Sequence, residues 1–481
     1  MGKERWSRKT ACPALPIVGF GLLLAWTYVV FFSRLVHFST RNSIEHLNST
    51  YSFACCGIIA ALVFYALPWD RLPLHRNGSL PHGPTPPLNT PVFIGTAVAA
   101  SLCTVALTFV EHDFFRQPWC SIAATVSGIA CAVLFLGWSH RFVHCPGSQS
   151  FVWLSLSFVC GAAVFFITLS LPAPAALGVT YCLPLASAIM LNTSGIDDRR
   201  EREAKALPSR TMPVFLRMLL SLFLIGLAES LVRALFLEVD PGTQSLAYQT
   251  LFLVAMLCAA LAVTCASRYR KNPAQALNRV ALFVLVILSL LAPIVMGVGI
   301  WGDLPALICY GLFYLFTWAT LSQVTRVFKL PARFAFGWGL GMAYAGCLAG
   351  TFFGSLLASY VDLSYKGQSL MALACASLVM VALLLVTDDR MLTHLLDTDS
   401  ERPVTPRRFM LRVEEAAQTH GLTAKETEVL VLAAKGRTTQ RICEELGIST
   451  GTANTHLAHI YKKFDVHDRQ QLIDILENVE Q

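Results

Sequence analysis

The stretch LTAKETEVLVLAAKGRTTQRICEELGISTGTANTHLAHIYKKF (residues 422–464) is punctuated as a set of short helices. Thr423 and Glu426 form a T-x-x-E capping box ahead of an apolar face of Val429, Leu430 and Ala433, and Gly436 supplies a stop. Thr438 or Thr439 caps a second helix, with Ile442, Cys443 and Leu446 inward, and Gly447 ends it. Ser449 caps a third. There Ala453, Leu457, Ile460 and Phe464 recur at i, i+4, i+7 and i+11, while Asn454, Thr455, Ala458 and Lys462 face the other way. Asp468 with Gln471 opens a final helix carrying Leu472, Ile473 and Leu476. Four short helices, with a glycine turn between the second and third, make a helix-turn-helix.

Upstream of this stretch the chain changes character. Residues 388–406 (DDRMLTHLLDTDSERPVTP) read as a linker, and a short amphipathic helix is expected over 408–419, ending at Gly421. From Asp388 to the end there are 12 Lys/Arg, 16 Asp/Glu and no Trp. The 481-residue chain as a whole is nevertheless 55% apolar and only 14% charged, with a mean hydropathy of +0.56. Soluble domains are about 25% charged. That composition excludes an ordinary soluble enzyme and a disordered protein.

A bilayer core takes about 20 apolar residues per helix. Twelve runs qualify: 13–33, 51–69, 91–110, 120–138, 151–171, 172–191, 214–236, 249–267, 280–300, 307–325, 335–358 and 370–387. The first is too long for a signal peptide, and no small-x-small cleavage site follows it, so an uncleaved span is expected. With the N-terminus inside, the inner segments hold 19 Lys/Arg and the outer loops 4. This positive-inside bias places both termini in the cytoplasm. Trp69, Trp119, Trp138 and Trp301 fall at run ends, where an interfacial aromatic belt is expected. The 15 cysteines include no C-x-x-C pair and read as small packing residues. His456 and His459 have no third ligand beside them, so no metal or cofactor is expected.

Six spans, a basic 22-residue loop (Asn192–Pro213) and six more spans form a pattern that resembles the major facilitator superfamily. The resemblance implies two six-helix halves facing each other across a midplane cavity. It is one of topology. The loop after the second span has the Asp70-Arg71 pair but not the glycines of that family's motif. Charges inside spans are costly and usually functional. Arg217, Glu229 and Arg233 in the seventh span are the candidates, with Glu229 and Arg233 at i, i+4 on one face. They form a ligand or switch group, or a self-satisfied ion pair with the arginines reaching toward the interfaces. Gly346, Gly350 and Gly354 make a close-packing face on the eleventh span.

The run Leu422–Leu430, then Ile442–Ser449, Gly451–His456 and Ile460–Phe464, is similar to the LuxR-type DNA-binding domain over about 60 residues. The resemblance implies that the third helix reads DNA and the fourth supports dimerisation. Asn454, Thr455 and Ala458 then take the base-facing positions. Thr438, Thr439, His456, Lys462 and Lys463 take phosphate or groove-wall positions, and Leu472, Ile473 and Leu476 the dimer helix. Where the family often has basic residues this chain has Asn454 and Ala458, and Phe464 and Asp465 replace a Leu and a Gly. Residues 422–481 hold 7 Lys/Arg against 9 Asp/Glu, so phosphate attraction is weak.

The expected fold is all-α: a polytopic membrane bundle of 6+6 spans over 1–387, a linker over 388–421 and a four-helix helix-turn-helix domain over 422–481. The expected function is a one-component transcription regulator of the inner (cytoplasmic) membrane, its membrane domain sensing a small molecule. Expected partners are double-stranded DNA, the lipid bilayer, that unknown ligand and a second copy on DNA. A small-molecule transporter with a fused regulatory domain is the alternative. No catalytic arrangement is present, and no receiver-like segment lies between 388 and 421.

Overall fold

A computed structural model describes residues 14–33, 35–37, 43–67, 88–109, 118–144, 147–193, 212–239, 250–258, 260–261, 304–328, 330–360, 373–375 and 377–382 and, nearer the C-terminus, 413, 416–417, 419–434, 438–466, 468 and 471–472. The chain divides into two compact units, Met1–Thr398 and Asp399–Gln481.

The first unit is a helical bundle. Its long helices are α1 (Ala14–Phe32), α2 (Ser43–Ala66), α3 (Thr90–Phe109), α4 (Pro118–His144), α5 (Gly147–Ser170), α6 (Ala173–Thr193), α7 (Met212–Val239), α8 (Leu304–Val327) and α9 (Ala332–Tyr360). Among the described residues, α1 to α6 and α9 are long and apolar enough to cross a membrane. Helix α7 has 28 residues and α8 has 24, which at about 1.5 Å per residue also exceeds a hydrocarbon core of about 30 Å. A spanning helix satisfies its own backbone, which is why apolar runs in lipid take this form. The expected runs one to seven, ten and eleven correspond to α1–α9. Run 249–267 is helical at 250–258 and 260–261, and run 370–387 at 373–375 and 377–382. Run 280–300 lies outside the described residues.

The two halves repeat one packing device. Helix α1 lies against α5 and α7 lies against α9, with glycines at both crossings. A Cβ added at Gly161 would sit 3.1 Å from the carbonyl oxygen of Gly21, and one at Gly21 would sit 3.1 Å from that of Ser157. On the second crossing, Cβ atoms at Gly346 and Gly350 would collide with the carbonyls of Phe223 and Leu227, and one at Gly226 with that of Ala343. The expected glycine face is therefore a backbone-to-backbone contact, and its partner is α7. Helix α2 joins the halves, packing on both α4 and α9.

An aromatic cluster fills the centre. Phe20 of α1 lies 4.6 Å from Trp318 of α8 and 5.2 Å from Phe142 of α4, ring centre to ring centre. Trp138 corrects the expectation of an interfacial belt. Helix α4 runs on to His144, and Trp138 is fully buried, donating its indole N–H to Ser187 Oγ at 3.0 Å. Ser187 in turn donates to the Gly19 carbonyl at 2.6 Å, so the polar tip is satisfied away from water. Trp119, at the start of α4, is exposed and fits the belt; Trp69 and Trp301 lie outside the described residues.

Gly346→Ala is expected to lower the thermal stability of the detergent-solubilised protein, because overpacking costs about 1–3 kcal/mol. Gly178→Ala, with nothing within 4 Å of the added methyl, should leave it unchanged or raise it. Equal melting curves for the two variants would contradict the backbone contact.

Candidate nucleic-acid interface

The second unit holds α10 (Ala424–Ala434), α11 (Thr439–Leu446) and α12 (Thr450–Phe464). Each begins where the sequence places a cap. Thr423 and Glu426 exchange the reciprocal bonds of a capping box, Thr423 N–H to Glu426 Oε2 at 2.8 Å and Glu426 N–H to Thr423 Oγ1 at 3.4 Å. Thr438, rather than Thr439, caps α11, accepting from the Arg441 N–H at 3.4 Å. Ser449 caps α12, accepting from the Thr452 N–H at 3.2 Å. Between them Gly447 takes φ of +64°, the left-handed turn that redirects the chain from α11 into α12. Asp468 Oδ1 accepts from the Gln471 N–H at 2.8 Å, as the expected opening of the last helix requires.

Val429, Leu430, Ala433, Ile442, Leu457, Ile460 and Phe464 are buried in one core. Val413 and Ala417 join it from the expected helix before Gly421. Burying Leu457, Ile460 and Phe464 turns the opposite face of α12 outward, so Asn454, Thr455, Ala458 and Lys462 are all exposed. The Thr455 hydroxyl donates back to the Gly451 carbonyl at 2.9 Å. His456 and Thr439 are half-buried and Thr438 is exposed.

Two of the expected site residues are also engaged within the fold. Lys463 Nζ donates to Glu426 Oε2 at 2.8 Å and to the Gly421 carbonyl at 3.0 Å, contacts with which a phosphate would compete. Leu472 is fully buried in the core. Ile473 and Leu476 lie outside the described residues.

The sequence reading missed what Glu426 gathers. Its side chain is 5% exposed, and besides the cap it receives Lys463 and has His459 Nδ1 3.6 Å from Oε1. Thr423 Oγ1 also donates to Oε2 at 2.8 Å. The Lys463 hydrogen bond, with that of the Thr423 backbone, holds the Glu426 carboxyl down at about 2, against an ordinary 4.5. Lys463 stands 37 residues away, so the local pattern that announces the cap carries no trace of the ion pair.

Of the membrane candidates, Arg217 and Glu229 lie apart along α7. Arg217 is exposed, three helical turns from Glu229 on α7. Glu229 is half-buried against α9, where its Oε2 accepts from Ser230 Oγ at 3.1 Å and from the Cys347 thiol at 3.6 Å. The side chain of Arg233 lies outside the described residues. One turn along α9 from Cys347, Tyr344 lines a crevice with Tyr51, Tyr314, Trp318, Phe135 and Phe158.

A bundle of spanning helices carrying a small helix-turn-helix unit defines a membrane protein with a DNA-binding regulator module. Comparison with known proteins agrees for each part. Residues 420–476 match the family described as bacterial regulatory proteins, luxR family, so the C-terminal module is a LuxR-type domain. A 58-residue stretch is 45% identical to the transcriptional regulatory protein LiaR of Bacillus subtilis (strain 168), and 52 residues are 44% identical to the uncharacterized response regulatory protein YgeK of Escherichia coli (strain K12). These stretches are 12% and 11% of this chain and span only 28% and 35% of those relatives. In fold, the chain is similar to a bacterial homologue of the iron transporter ferroportin in an outward-facing state, with a TM-score of 0.54 at 15% identity over 81% of this chain and 100% of that one. It is also similar to the human organic anion transporter MFSD10, with a TM-score of 0.52 at 14% identity over 78% of this chain and 99% of that one. At such identities the likeness is one of fold: the membrane part shares the helical fold of these two transporters.

A carboxyl whose pKa falls on folding adds stability that is full above about pH 4.5 and is lost as the pH drops toward 2. Glu426→Gln is expected to abolish that acid-range loss and to destabilise α10 and α12 at neutral pH by about 1.5–3 kcal/mol, the range for hydrogen bonds to charged groups. Hydrogen exchange of α10 and α12 peptides in the full chain, from pH 2.5 to 7, measures both effects.

Proposed function

We propose that this chain is a one-component transcription regulator of the inner membrane. Its transporter-like bundle, residues 1–387, senses a small molecule and controls DNA binding by the module at 422–481 through the linker at 388–421. Both termini lie in the cytoplasm, in keeping with 19 Lys/Arg on the inner segments against 4 on the outer loops. The observation that carries the reading is α12. Its inward residues are consumed by the core, and its outward face offers hydrogen-bonding and methyl groups at the helix N-terminal half, where a recognition helix meets base edges.

The module brings little charge to this task, so it binds as a pair of copies on a two-fold site. Fixing it to a membrane protein raises the effective concentration of paired readers. Glu229 is the switch candidate in the bundle, where its Oε2 accepts from the Cys347 thiol of α9 at 3.6 Å. A ligand of the bundle influences the module only through its differential affinity for two states of the bundle, about 1–3 kcal/mol.

The test uses the full chain in lipid nanodiscs, incubated with genomic fragments. Wild type is expected to capture a limited set of duplexes with two-fold symmetric sites. Ala458→Glu, which sets a negative charge on the exposed face of α12, should weaken capture by roughly tenfold or more, ~1.4 kcal/mol. Capture unaffected by Ala458→Glu would remove α12 from the reading role. In cells, deleting the gene identifies the transcripts that lose their response and hence the inducing condition. Under that condition Glu229→Gln is expected to shift the dose–response by about fivefold or more. A normal dose–response would return the carboxylate to a structural role, and flux of the inducer abolished by Glu229→Gln would favour the fused-transporter alternative.

A further inference from the structure

The outward face of α12 is chemically biased. A guanine edge is met by the paired donors of Arg or Lys, a cytosine amino group by an acidic acceptor, an adenine edge by the donor–acceptor pair of Asn or Gln, and a thymine methyl by an apolar group. Helix α12 reads TGTANTHLAHIYKKF and contains neither arginine nor an acidic residue. Its two lysines stand in the last turn, far from the N-terminal residues that enter a groove. Of these, Lys463 is held by Glu426 and the Gly421 carbonyl. His459, on the same side, has Nδ1 3.6 Å from Glu426 Oε1. The lysines that could read guanine are thus in the last turn, one of them held by the Glu426 carboxylate, and the half-buried His456 is the one ring donor nearer the N-terminus.

The remaining groups suit one kind of base pair. Asn454 is exposed, and its amide offers a donor and an acceptor together. Thr455 has its hydroxyl proton committed to the Gly451 carbonyl, which leaves its methyl as the apolar group for a groove contact. Ala458 is exposed one turn on, at i+4 from Asn454 and i+3 from Thr455, so the three share one stripe. One helical turn advances about 5.4 Å and one base step about 3.4 Å, so the stripe covers two or three adjacent base pairs.

We infer that α12 is a reader of A·T pairs: Asn454 hydrogen-bonds an adenine edge, while Thr455 and Ala458 lay methyl groups against neighbouring thymines. Each half-site therefore has a core of A·T pairs. The inference rests on the DNA-reading role proposed above and adds the sequence class that the role requires. Glu426 contributes as a positioning residue by holding Lys463 away from the groove.

The experiment is selection from a random duplex library by the full chain in lipid nanodiscs, for wild type, Asn454→Ala and Asn454→Arg. Both substitutions fall on an exposed helical position and leave the core untouched. Wild type is expected to enrich A·T at two or three adjacent positions in each half-site. Asn454→Ala should lose preference at one adenine by about 5- to 150-fold, and Asn454→Arg should move that position to guanine. Enrichment of G·C at the contacted positions, or a preference unchanged in Asn454→Ala, overturns the A·T assignment while leaving DNA binding intact. Enrichment of no duplex by wild type overturns the reading role itself and this assignment with it.

Discussion

In hydrocarbon, helices gain nothing by hiding apolar surface from water, so they must hold together by close contact and by satisfying every polar group. The bundle meets this constraint at its glycine crossings. Gly346 and Gly350 of α9 lie against the carbonyls of Phe223 and Leu227, and Gly226 of α7 lies against that of Ala343. Gly57 and Gly128 make the equivalent reciprocal contact between α2 and α4. Such contacts leave no room for a side chain, so they fix which helices are neighbours. Around them two buried indoles are paired: Trp26 N–H to Thr104 Oγ1 at 3.1 Å, and Trp138 N–H to Ser187. The large aromatics then pack as fillers between helices whose spacing the glycines have set.

The same physics explains what could be read from sequence and what could not. Spans are legible because one helix satisfies its own backbone and needs only length and apolarity, so α1 to α7 fall near the expected runs. The glycine spacing of α9 is legible for a similar reason, being a periodicity within one helix. Its partner is not, since nothing in Gly346 or Gly350 names Phe223. Trp138 was misplaced because a run end marks where apolarity falls, not where the helix stops, and α4 continues six residues further to His144. In the C-terminal module the caps are local chemistry: Thr423 and Ser449 are legible to the residue, and the second cap to one of two adjacent threonines, of which the structure uses Thr438. The internal contacts of Lys463 and Leu472 are not legible in the sequence, because a family's positions carry no information about which charge or apolar group this chain uses internally.

Glu426 shows how a structural device limits a functional one. A capping carboxylate needs only the Thr423 N–H, yet this one also holds Lys463 at 2.8 Å and approaches His459. The cost of burying a carboxylate is offset by these donors. The consequence is that a cation at the end of α12 serves the fold. Asp465 adds a smaller local cost, since it adopts φ of +53° at the end of α12, a region that glycine enters more easily.

These features bear on how a weak signal could control a reader. Counterion release supplies most non-specific affinity for DNA, and a module with 7 Lys/Arg against 9 Asp/Glu has little of it. A strongly basic module would stay on DNA whatever the membrane domain did, because a few kcal/mol from a ligand could not outweigh several phosphate contacts. A nearly neutral one sits close to the threshold between bound and free. There, a coupling of about 1–3 kcal/mol changes occupancy by one to two orders of magnitude. The acidity of the module is thus what would make a ligand-biased bundle of transporter form an effective controller on the proposed reading.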